Sequence, residues 1–307
     1  MAASRDYPYP PLDLATRVRF LDAWSDPFKA YEELGAQTKT ALLDLLPDEW
    51  SFEGKRVLDF GCGAGRTLRH FLSEAERGEF WGADIDAASI EWLQENLSPP
   101  LHAWRCSSVP PSGLEHGSFD LAWAISVFTH LADNSSPWLL ELHSLLKPDG
   151  LLIATYMGRW SSEFFAGEPW EEDRVGRNVL RRNHEWDSGG PAVLMSDWWI
   201  RAHWGRAFEI LGIAPQVHGQ SWALLRRRDV EFTTDDLERP EDYPREYAAL
   251  SHNLWQTQRE MERSQREQDA RLTEVRAEYE RSLSWRVTRP LRAGARIARS
   301  LRSGRSR

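Results

Sequence analysis

Three glycines and a carboxylate near the start of the chain are spaced as a nucleoside-binding site requires. Gly61, Gly63 and Gly65 directly follow the apolar run Val57–Phe60, which predicts a tight strand-to-helix turn that brings the backbone close to a ligand. Asp84 ends the next apolar run, 19 residues after Gly65. A carboxylate at that place can accept hydrogen bonds from both hydroxyls of a ribose. A ligand-free turn is the alternative, and the paired acid favours the nucleoside site.

A second carboxylate, Asp59, indicates which nucleoside ligand fits. It stands two residues before Gly61, where its negative charge would repel the pyrophosphate of a dinucleotide. The amino group and the sulfonium of S-adenosyl-L-methionine are cationic and suit this position. We therefore expect S-adenosylmethionine as the cofactor, with an NAD-dependent enzyme as the alternative.

The elements that must position these residues lie between residues 51 and 228, where short apolar runs alternate with helical stretches. This alternation predicts parallel strands joined by crossover helices. The predicted fold is α/β: a Rossmann-like, doubly wound, mostly parallel sheet with a C-terminal antiparallel hairpin around His218–Gln220. Residues 1–50 form an N-terminal helical lead. The predicted strands are 56–60, 79–85, about 102–106, 119–125 and 150–156, the hairpin strands are 208–217 and 221–227, and the predicted helices are 28–46, 66–74, 87–96 and 137–146.

A long C-terminal helical arm is expected over 246–284, after an acidic linker at 229–245, because the arm contains no Pro or Gly. Its apolar residues fit two heptad seams separated by a four-residue stutter. Polar Thr, Ser and Gln occupy the seam between them, which predicts a weak coiled coil. A homodimer, a partner protein and a single exposed helix all remain open. The seams are Tyr247, Leu250, Leu254 and Met261, then Leu272, Val275 and Tyr279.

The segment VLDFGCGAGR at 57–66 resembles the first motif of the class I S-adenosylmethionine-dependent methyltransferases. Segments 117–131, 145–156 and 208–228 are similar to later motifs in the order that this family keeps. The resemblance implies methyl transfer from S-adenosylmethionine. Ser107 and Ser108 stand where many members place an acid for the adenine amino group. The implied cofactor contacts are Asp59, Gly61, Cys62, Gly63 and Gly65 for the methionine part, Asp84 for the ribose, Ile85, Ser107 and Ser108 for the adenine, and Ser126 beyond the fourth strand.

His130 is the candidate general base. It follows the fourth strand, where the active cleft of the resembled family opens, and histidine titrates near neutral pH. Proton removal from an acceptor hydroxyl is the role that this position suits. The alternative is a structural hydrogen bond at the start of the next helix.

Residues 157–196 are too many for a simple strand-to-helix loop, and we interpret them as a substrate lid or wall. Aromatic faces beside Arg, His and Glu suit a polar ring such as a sugar, whereas a solvated loop with buried tryptophans is the alternative. The spacing of His184, Glu185 and Asp187 matches no compact metal site, so no metal is predicted. The residues are Arg159, Trp160, Trp170, Arg181, Arg182, His184, Glu185 and Trp186.

The charge of the chain is strongly asymmetric. Eight arginines and no acid lie in the basic tail at 285–307, which leaves 30 basic against 47 acidic groups in residues 1–284. The acidic body argues against nucleic-acid binding. The tail interleaves arginines with Trp285, Leu291, Ile297 and Leu301, which predicts peripheral membrane contact, with a disordered tail as the alternative.

The nine residues SWRVTRPLR at 284–292 resemble a segment that follows helical arms in bacterial polysaccharide-biosynthesis proteins. The resemblance implies O-methylation of a saccharide during cell-surface polysaccharide assembly. The alternatives are a small-molecule or natural-product methyltransferase and a non-catalytic binding module with the same fold. The chain has no run of eighteen apolar residues and contains only two cysteines, Cys62 and Cys106. We therefore expect a cytoplasmic protein, which would lie at the inner membrane face if the tail binds there.

Overall fold

One seven-stranded sheet organises residues 56–227. The computed structural model describes residues 7–17, 25–167, 169–182, 184, 190–241, 244–282 and 287–288. The strand order is β3-β2-β1-β4-β5-β9-β8, with β1 to β5 parallel and β9 antiparallel to both β5 and β8. The strands are β1 Arg56–Phe60, β2 Glu79–Asp84, β3 Leu101–Arg105, β4 Phe119–Ala124, β5 Leu146–Tyr156, β8 Phe208–Val217 and β9 Gln220–Arg227.

Helices cover both faces of the sheet, so the predicted Rossmann-like, doubly wound fold with its C-terminal hairpin is confirmed. One core lies around Leu58, Phe128 and Trp138, and the other lies around Val57 and Trp123. Side chains alternate along β1, and therefore Leu58 and Val57 face opposite cores. The helices are α1 Leu12–Ala15, α2 Pro27–Leu45, α3 Ala87–Asn96, α4 Ser135–Leu145, α5 Arg159–Ser161, α6 Asp197–Ala207, α7 Thr234–Glu238 and α8 Pro244–Arg281.

The prediction of a helix at 66–74 is wrong. Two short 3₁₀ turns, Leu68–Phe71 and Glu74–Glu76, take its place. The Lys39 ammonium donates to the His70 carbonyl at 2.7 Å and to the Glu74 carboxylate at 2.6 Å. A tertiary contact from α2 therefore takes a carbonyl that a regular helix would use for its own ladder.

A two-stranded antiparallel sheet lies inside the 157–196 segment. Its strands are β6 Arg177–Leu180 and β7 Ala192–Met195. The Val193 N–H donates to the Thr129 carbonyl at 2.8 Å, which joins β7 to the loop after β4. The inserted segment is therefore attached to the edge of the sheet where the parallel strands end.

The predicted arm is present as α8, which extends from Pro244 to Arg281. The described structure divides into two compact units after Leu254, so the first turns of α8 belong to the unit that contains the sheet. There Glu246 and Ala249 are buried. The expected linker at 229–245 contains α7, which begins with a capping box between Thr233 and Asp236. None of the described helices is long and apolar enough to cross a bilayer.

Replacing each of two helical glycines by alanine should change the stability of the protein in opposite directions. A Cβ on Gly35 in α2 would lie 2.2 Å from the Arg66 carbonyl oxygen, whereas a Cβ on Gly205 in α6 would meet only Ile210 at 3.7 Å. Gly35→Ala should therefore lower the free energy of unfolding by about 1–3 kcal/mol through overpacking. Gly205→Ala should raise it by up to about 1 kcal/mol, since alanine is the better helix former. Urea denaturation of both variants measures the difference, and stabilisation by Gly35→Ala would contradict the close contact of α2 with this loop.

Candidate active site

The glycine-rich loop after β1 adopts backbone angles that favour glycine. Gly61, Gly63 and Gly65 have φ of 81°, 52° and 79°. A Cβ on Gly61 would lie 2.3 Å from Val127, and one on Gly65 would lie 2.6 Å from Leu93. A Cβ on Gly63 would have no protein atom within 4 Å. Packing therefore requires the outer two glycines, while Gly63 borders open space in which a ligand can approach the backbone.

Asp84 at the end of β2 holds this loop directly. One carboxylate oxygen accepts the Gly63 N–H at 2.8 Å, and the other accepts the Asp86 N–H at 2.9 Å. Each carboxylate oxygen has a second lone pair, so the group can still accept hydroxyl donors from a ribose. Burial raises the pKa of Asp84, and the two backbone donors oppose that shift. The side chain predicted to bind the ribose therefore also shapes the loop.

Two buried groups of opposite charge beside the loop have unsatisfied atoms. Within the described part of the chain, neither Oδ2 of Asp59 nor Nη1 of Arg66 has a hydrogen-bond partner. Burial raises the pKa of Asp59 to about 7, and the negative charge of Asp84 adds to this rise. Burial also lowers the pKa of Arg66. The two charges attract each other, but a buried polar atom without a hydrogen bond is costly, so these atoms fit a zwitterionic ligand that supplies an ammonium and a carboxylate.

Helix α2 closes the loop from the other side. The Tyr31 hydroxyl donates to the Ala64 carbonyl at 2.8 Å, and burial raises the pKa of Tyr31. Further along, Arg17 forms an ion pair with Asp86, next to the ribose carboxylate. The N-terminal lead therefore contacts the predicted cofactor site at both its methionine and its ribose end.

The predicted adenine end lies where β2 and β3 finish. Ile85 is exposed, as a surface that stacks against a purine requires. The Cys106 N–H donates to the Asp84 carbonyl at 3.0 Å, which keeps the two strand ends together. The Ser107 hydroxyl donates to the Val109 carbonyl, and the Ser108 carbonyl accepts the Trp138 indole N–H at 3.4 Å. The Ser107 oxygen keeps lone pairs that can accept an adenine amino group.

The side chain of Cys62 is buried within the core. A Cβ on Gly82 would lie 2.9 Å from its sulfur, the thiol donates to the Gly63 carbonyl at 3.3 Å, and burial raises the pKa of the thiol well above its ordinary value. The thiol is therefore a packing group, and the predicted cofactor contact of Cys62 would come from its backbone.

A second group of polar side chains lies where the ends of β4, β5 and β9 come together. Ser126, just after β4, has an unusual φ of 59° for a residue with a side chain. Its N–H donates to Thr155 Oγ1 at 2.7 Å, and its Oγ accepts from Gln220 Nε2 at 2.8 Å. These bonds fix a hydroxyl and an amide next to each other, between the loop after β4 and the start of β9.

His130 lies under the inserted segment. Its Nδ1 is 2.8 Å from the Pro191 carbonyl oxygen. A carbonyl only accepts, so Nδ1 carries the proton and Nε2 of the neutral ring keeps a lone pair. Burial lowers the pKa of His130, and the Pro191 bond opposes that shift. The structural hydrogen bond and the catalytic role are therefore compatible, because they use different ring nitrogens.

The remaining insert residues divide into three groups. Trp160 stacks with the exposed Phe164 at a centroid distance of 5.0 Å, while Trp170 donates to Glu172 at 2.7 Å. Arg182 pairs with Asp133 after β4, whereas Arg159, Arg181 and His184 are exposed. The other predicted insert residues, Glu185, Trp186 and Asp187, lie outside the described residues.

Comparison with known proteins agrees with this geometry. Residues 58–152 match the family described as a methyltransferase domain. The chain therefore contains a methyltransferase domain. It is 28% identical over 188 residues to a ubiquinone biosynthesis O-methyltransferase of Nitrobacter winogradskyi, covering 58% of this chain and 67% of that protein. It is 26% identical over 110 residues to an rRNA N(6)-adenosine-methyltransferase of Caenorhabditis elegans, covering 33% of this chain and 51% of that protein.

Solved structures resemble the chain at low sequence identity. An S-adenosylmethionine-dependent methyltransferase from Mesorhizobium loti gives a TM-score of 0.46 at 17% identity, covering 61% of this chain and 96% of that one. A putative methyltransferase of Haloferax volcanii, in complex with its Trm112 activator, gives 0.48 at 16% identity, covering 71% and 100%. The predicted cofactor, S-adenosylmethionine, is supported by the match of residues 58–152 to the methyltransferase domain.

Three residues of the site do not follow from sequence motifs. Arg66 directly follows the last glycine of the loop, so its position next to the motif was a usable signal. Tyr31 and Gln220 lie 33 residues before Ala64 and 94 residues after Ser126, their respective partners. Only the folded sheet and the packing of α2 bring these pairs together.

The raised pKa of Asp59 predicts pH-dependent cofactor binding. An ammonium is held by the ionised carboxylate, which becomes protonated as the pH falls through about 7. The dissociation constant of S-adenosylhomocysteine, the demethylated cofactor, should therefore rise by up to about tenfold per pH unit below that value. Calorimetry between pH 8 and 5 measures this. Asp59→Asn should bind weakly throughout and lose the dependence, while an unchanged affinity from pH 8 to 5 in the unmodified protein would refute an ionised Asp59 contact.

The unpaired Nη1 of Arg66 predicts a contact with the methionine carboxylate. Arg66→Gln should weaken S-adenosylhomocysteine binding about 10–100-fold, as expected for a charge-assisted hydrogen bond. Binding of 5′-methylthioadenosine, which lacks the amino-acid part, should change little, and calorimetry with both ligands separates the effects. Equal losses for the two ligands would instead indicate that Arg66 supports the loop.

Proposed function

We propose that this methyltransferase transfers the methyl group to a hydroxyl of a saccharide, with His130 as the general base. The main observation that supports O-methylation is the tautomer of the His130 ring. Because Pro191 occupies Nδ1, the proton-free Nε2 is the nitrogen available for chemistry. The lowered pKa keeps the ring neutral at pH 7, as a base requires.

The chemistry needs little more than alignment and removal of one proton. Bound S-adenosylmethionine supplies an electrophilic methyl group on a sulfonium. The acceptor hydroxyl oxygen would form the new bond to the methyl carbon as the carbon–sulfur bond breaks. The electron pair of the carbon–sulfur bond would stay on sulfur. His130 Nε2 takes the hydroxyl proton. Gln220 and Ser126 supply an amide and a hydroxyl that can hold neighbouring polar groups of the acceptor.

A hydroxyl acceptor is supported by relatives named ubiquinone biosynthesis O-methyltransferases, which match 44–58% of the chain. The saccharide is favoured by the inserted wall. Trp160 covers Gly219, where a Cβ would lie 2.4 Å from its ring, and Phe164 stacks on Trp160 with 74% of its own surface exposed. An aromatic face beside an amide and a hydroxyl suits a sugar ring, which has apolar faces and polar edges.

The C-terminal resemblance to polysaccharide-biosynthesis proteins also favours the saccharide. Most of its residues lie outside the described part of the chain, so the basic tail and its membrane contact remain predictions. The setting that we propose is cell-surface polysaccharide assembly, in the cytoplasm or at the inner membrane face. An aromatic or other small-molecule hydroxyl is the second candidate, because a phenol could also stack on Phe164.

Transfer of labelled methyl groups to nucleotide sugars, lipid-linked glycans and catechols tests both parts of this proposal. We expect labelled product with the saccharides. His130→Ala should lower turnover about 10²–10⁴-fold while leaving S-adenosylhomocysteine affinity unchanged. At saturating cofactor, turnover should fall only below the ordinary titration range of histidine, because protonation abolishes the base and burial lowers the pKa of His130.

His130→Asn is the matched control, since its amide nitrogen is attached to Cγ as Nδ1 is and can still donate to the Pro191 carbonyl, but it cannot serve as a base. Loss of turnover in both variants supports the catalytic role. Full turnover in His130→Asn would assign the histidine to structure alone. Labelling of catechols without any labelling of saccharides would replace the proposed acceptor by an aromatic hydroxyl.

A further inference from the structure

The long helix α8 carries an apolar stripe that the rest of the described chain leaves exposed. The stripe consists of Leu250, Leu254, Met261, Leu272, Val275 and Tyr279, each 47–68% exposed. At about 100° per residue these six positions fall within about 60° of one another around the helix. They span roughly 44 Å along it. Contiguous exposed apolar surface of this kind commonly marks an interaction site.

We propose that this stripe pairs with the same stripe of a second copy of the chain in an antiparallel two-helix coiled coil. The spacing between the two heptad seams supports a self-complementary partner. The 11 residues from Met261 to Leu272 place a four-residue stutter at the middle of the stripe. A two-fold axis between Ser264 and Gln265 makes the first seam of one copy face the second seam of the other.

This register matches apolar residues along the helix. Leu250 faces Tyr279 of the other copy, and Leu254 faces Val275. Met261 faces Gln268, and Thr257 faces Leu272, so apolar side chains cover the polar ones. The polar centre, Ser264 and Gln265, lies at the axis, where hydroxyl and amide groups can hydrogen-bond across the pair. Such polar positions weaken a coiled coil but specify its register.

Charges beside the stripe distinguish the two orientations. In the antiparallel pair, Glu260 lies opposite Arg271 of the other copy, and the two-fold axis creates this contact twice. A parallel pair would instead place Arg271 opposite Arg276 of the other copy, again twice. Opposite charges at such flanking positions stabilise a coiled coil, and like charges destabilise it. The flanking charges therefore select the antiparallel orientation.

Cysteine cross-linking tests the orientation directly in the full-length protein. Leu254→Cys and Val275→Cys are prepared separately, then mixed and oxidised. The two native cysteines, Cys62 and Cys106, are buried. An antiparallel pair should give a disulfide-linked dimer in the mixture and none with either variant alone, because like positions lie about 32 Å apart. The matched control combines Arg263→Cys with Arg266→Cys, which lie at equivalent heights on the opposite face and should not link.

Charge reversal provides an independent measurement by sedimentation equilibrium. Glu260→Arg should raise the dimer dissociation constant about threefold to tenfold, and adding Arg271→Glu should restore it. Cross-linking of Leu254→Cys with itself would show a parallel dimer and overturn the proposal. The absence of any link in the mixture, or a double variant as weak as the single one, would also overturn it.

Discussion

The hydrogen bond from the Gly63 backbone to the Asp84 carboxylate is the contact on which the nucleoside site depends. It joins the ends of β1 and β2 through a loop whose backbone angles only glycine adopts readily. The loop in turn places Asp59 and Arg66 beside one another. Tyr31 fixes the same loop from α2 through the Ala64 carbonyl. A shift in this one contact would therefore displace the groups for the ribose and for the methionine part together.

The site gains binding capacity at a cost in stability. Asp59 and Arg66 are buried with unsatisfied atoms, although either could have been replaced by an apolar residue that packs without desolvation cost. The unfavourable backbone angle of Ser126 is a second cost in stability. It lets the Ser126 N–H bond to Thr155 and the Ser126 hydroxyl bond to Gln220. Binding of a zwitterionic cofactor would satisfy the two charges, so cofactor occupancy and folding stability are linked.

Local sequence patterns were sufficient to predict the elements whose structure depends mainly on local interactions. The strand at 56–60 was predicted to the residue, because a central parallel strand is buried on both faces and Val57, Leu58 and Phe60 supply apolar side chains to them. The helix at 66–74 failed because Lys39 and Gly35 impose a contact from 31 residues earlier. Asp59 and Asp84 stood out through their spacing to the glycines. The Pro191 partner of His130 could not be predicted, since 61 residues separate the two and only β7 brings them together.

The inserted segment contains both the aromatic wall of the proposed acceptor site and the hydrogen-bond partner of His130. The chain that carries Trp160 continues to Pro191, whose carbonyl bonds to His130 Nδ1, and to Val193, whose N–H bonds to the Thr129 carbonyl. All three lie beyond residue 152, where the match to the methyltransferase family ends. The relatives named as a ubiquinone biosynthesis O-methyltransferase and as an rRNA N(6)-adenosine-methyltransferase differ in the acceptor that their names give. Under the proposed function, a change in the insert that accommodates another acceptor must preserve the Pro191 carbonyl, because this carbonyl keeps the His130 proton on Nδ1.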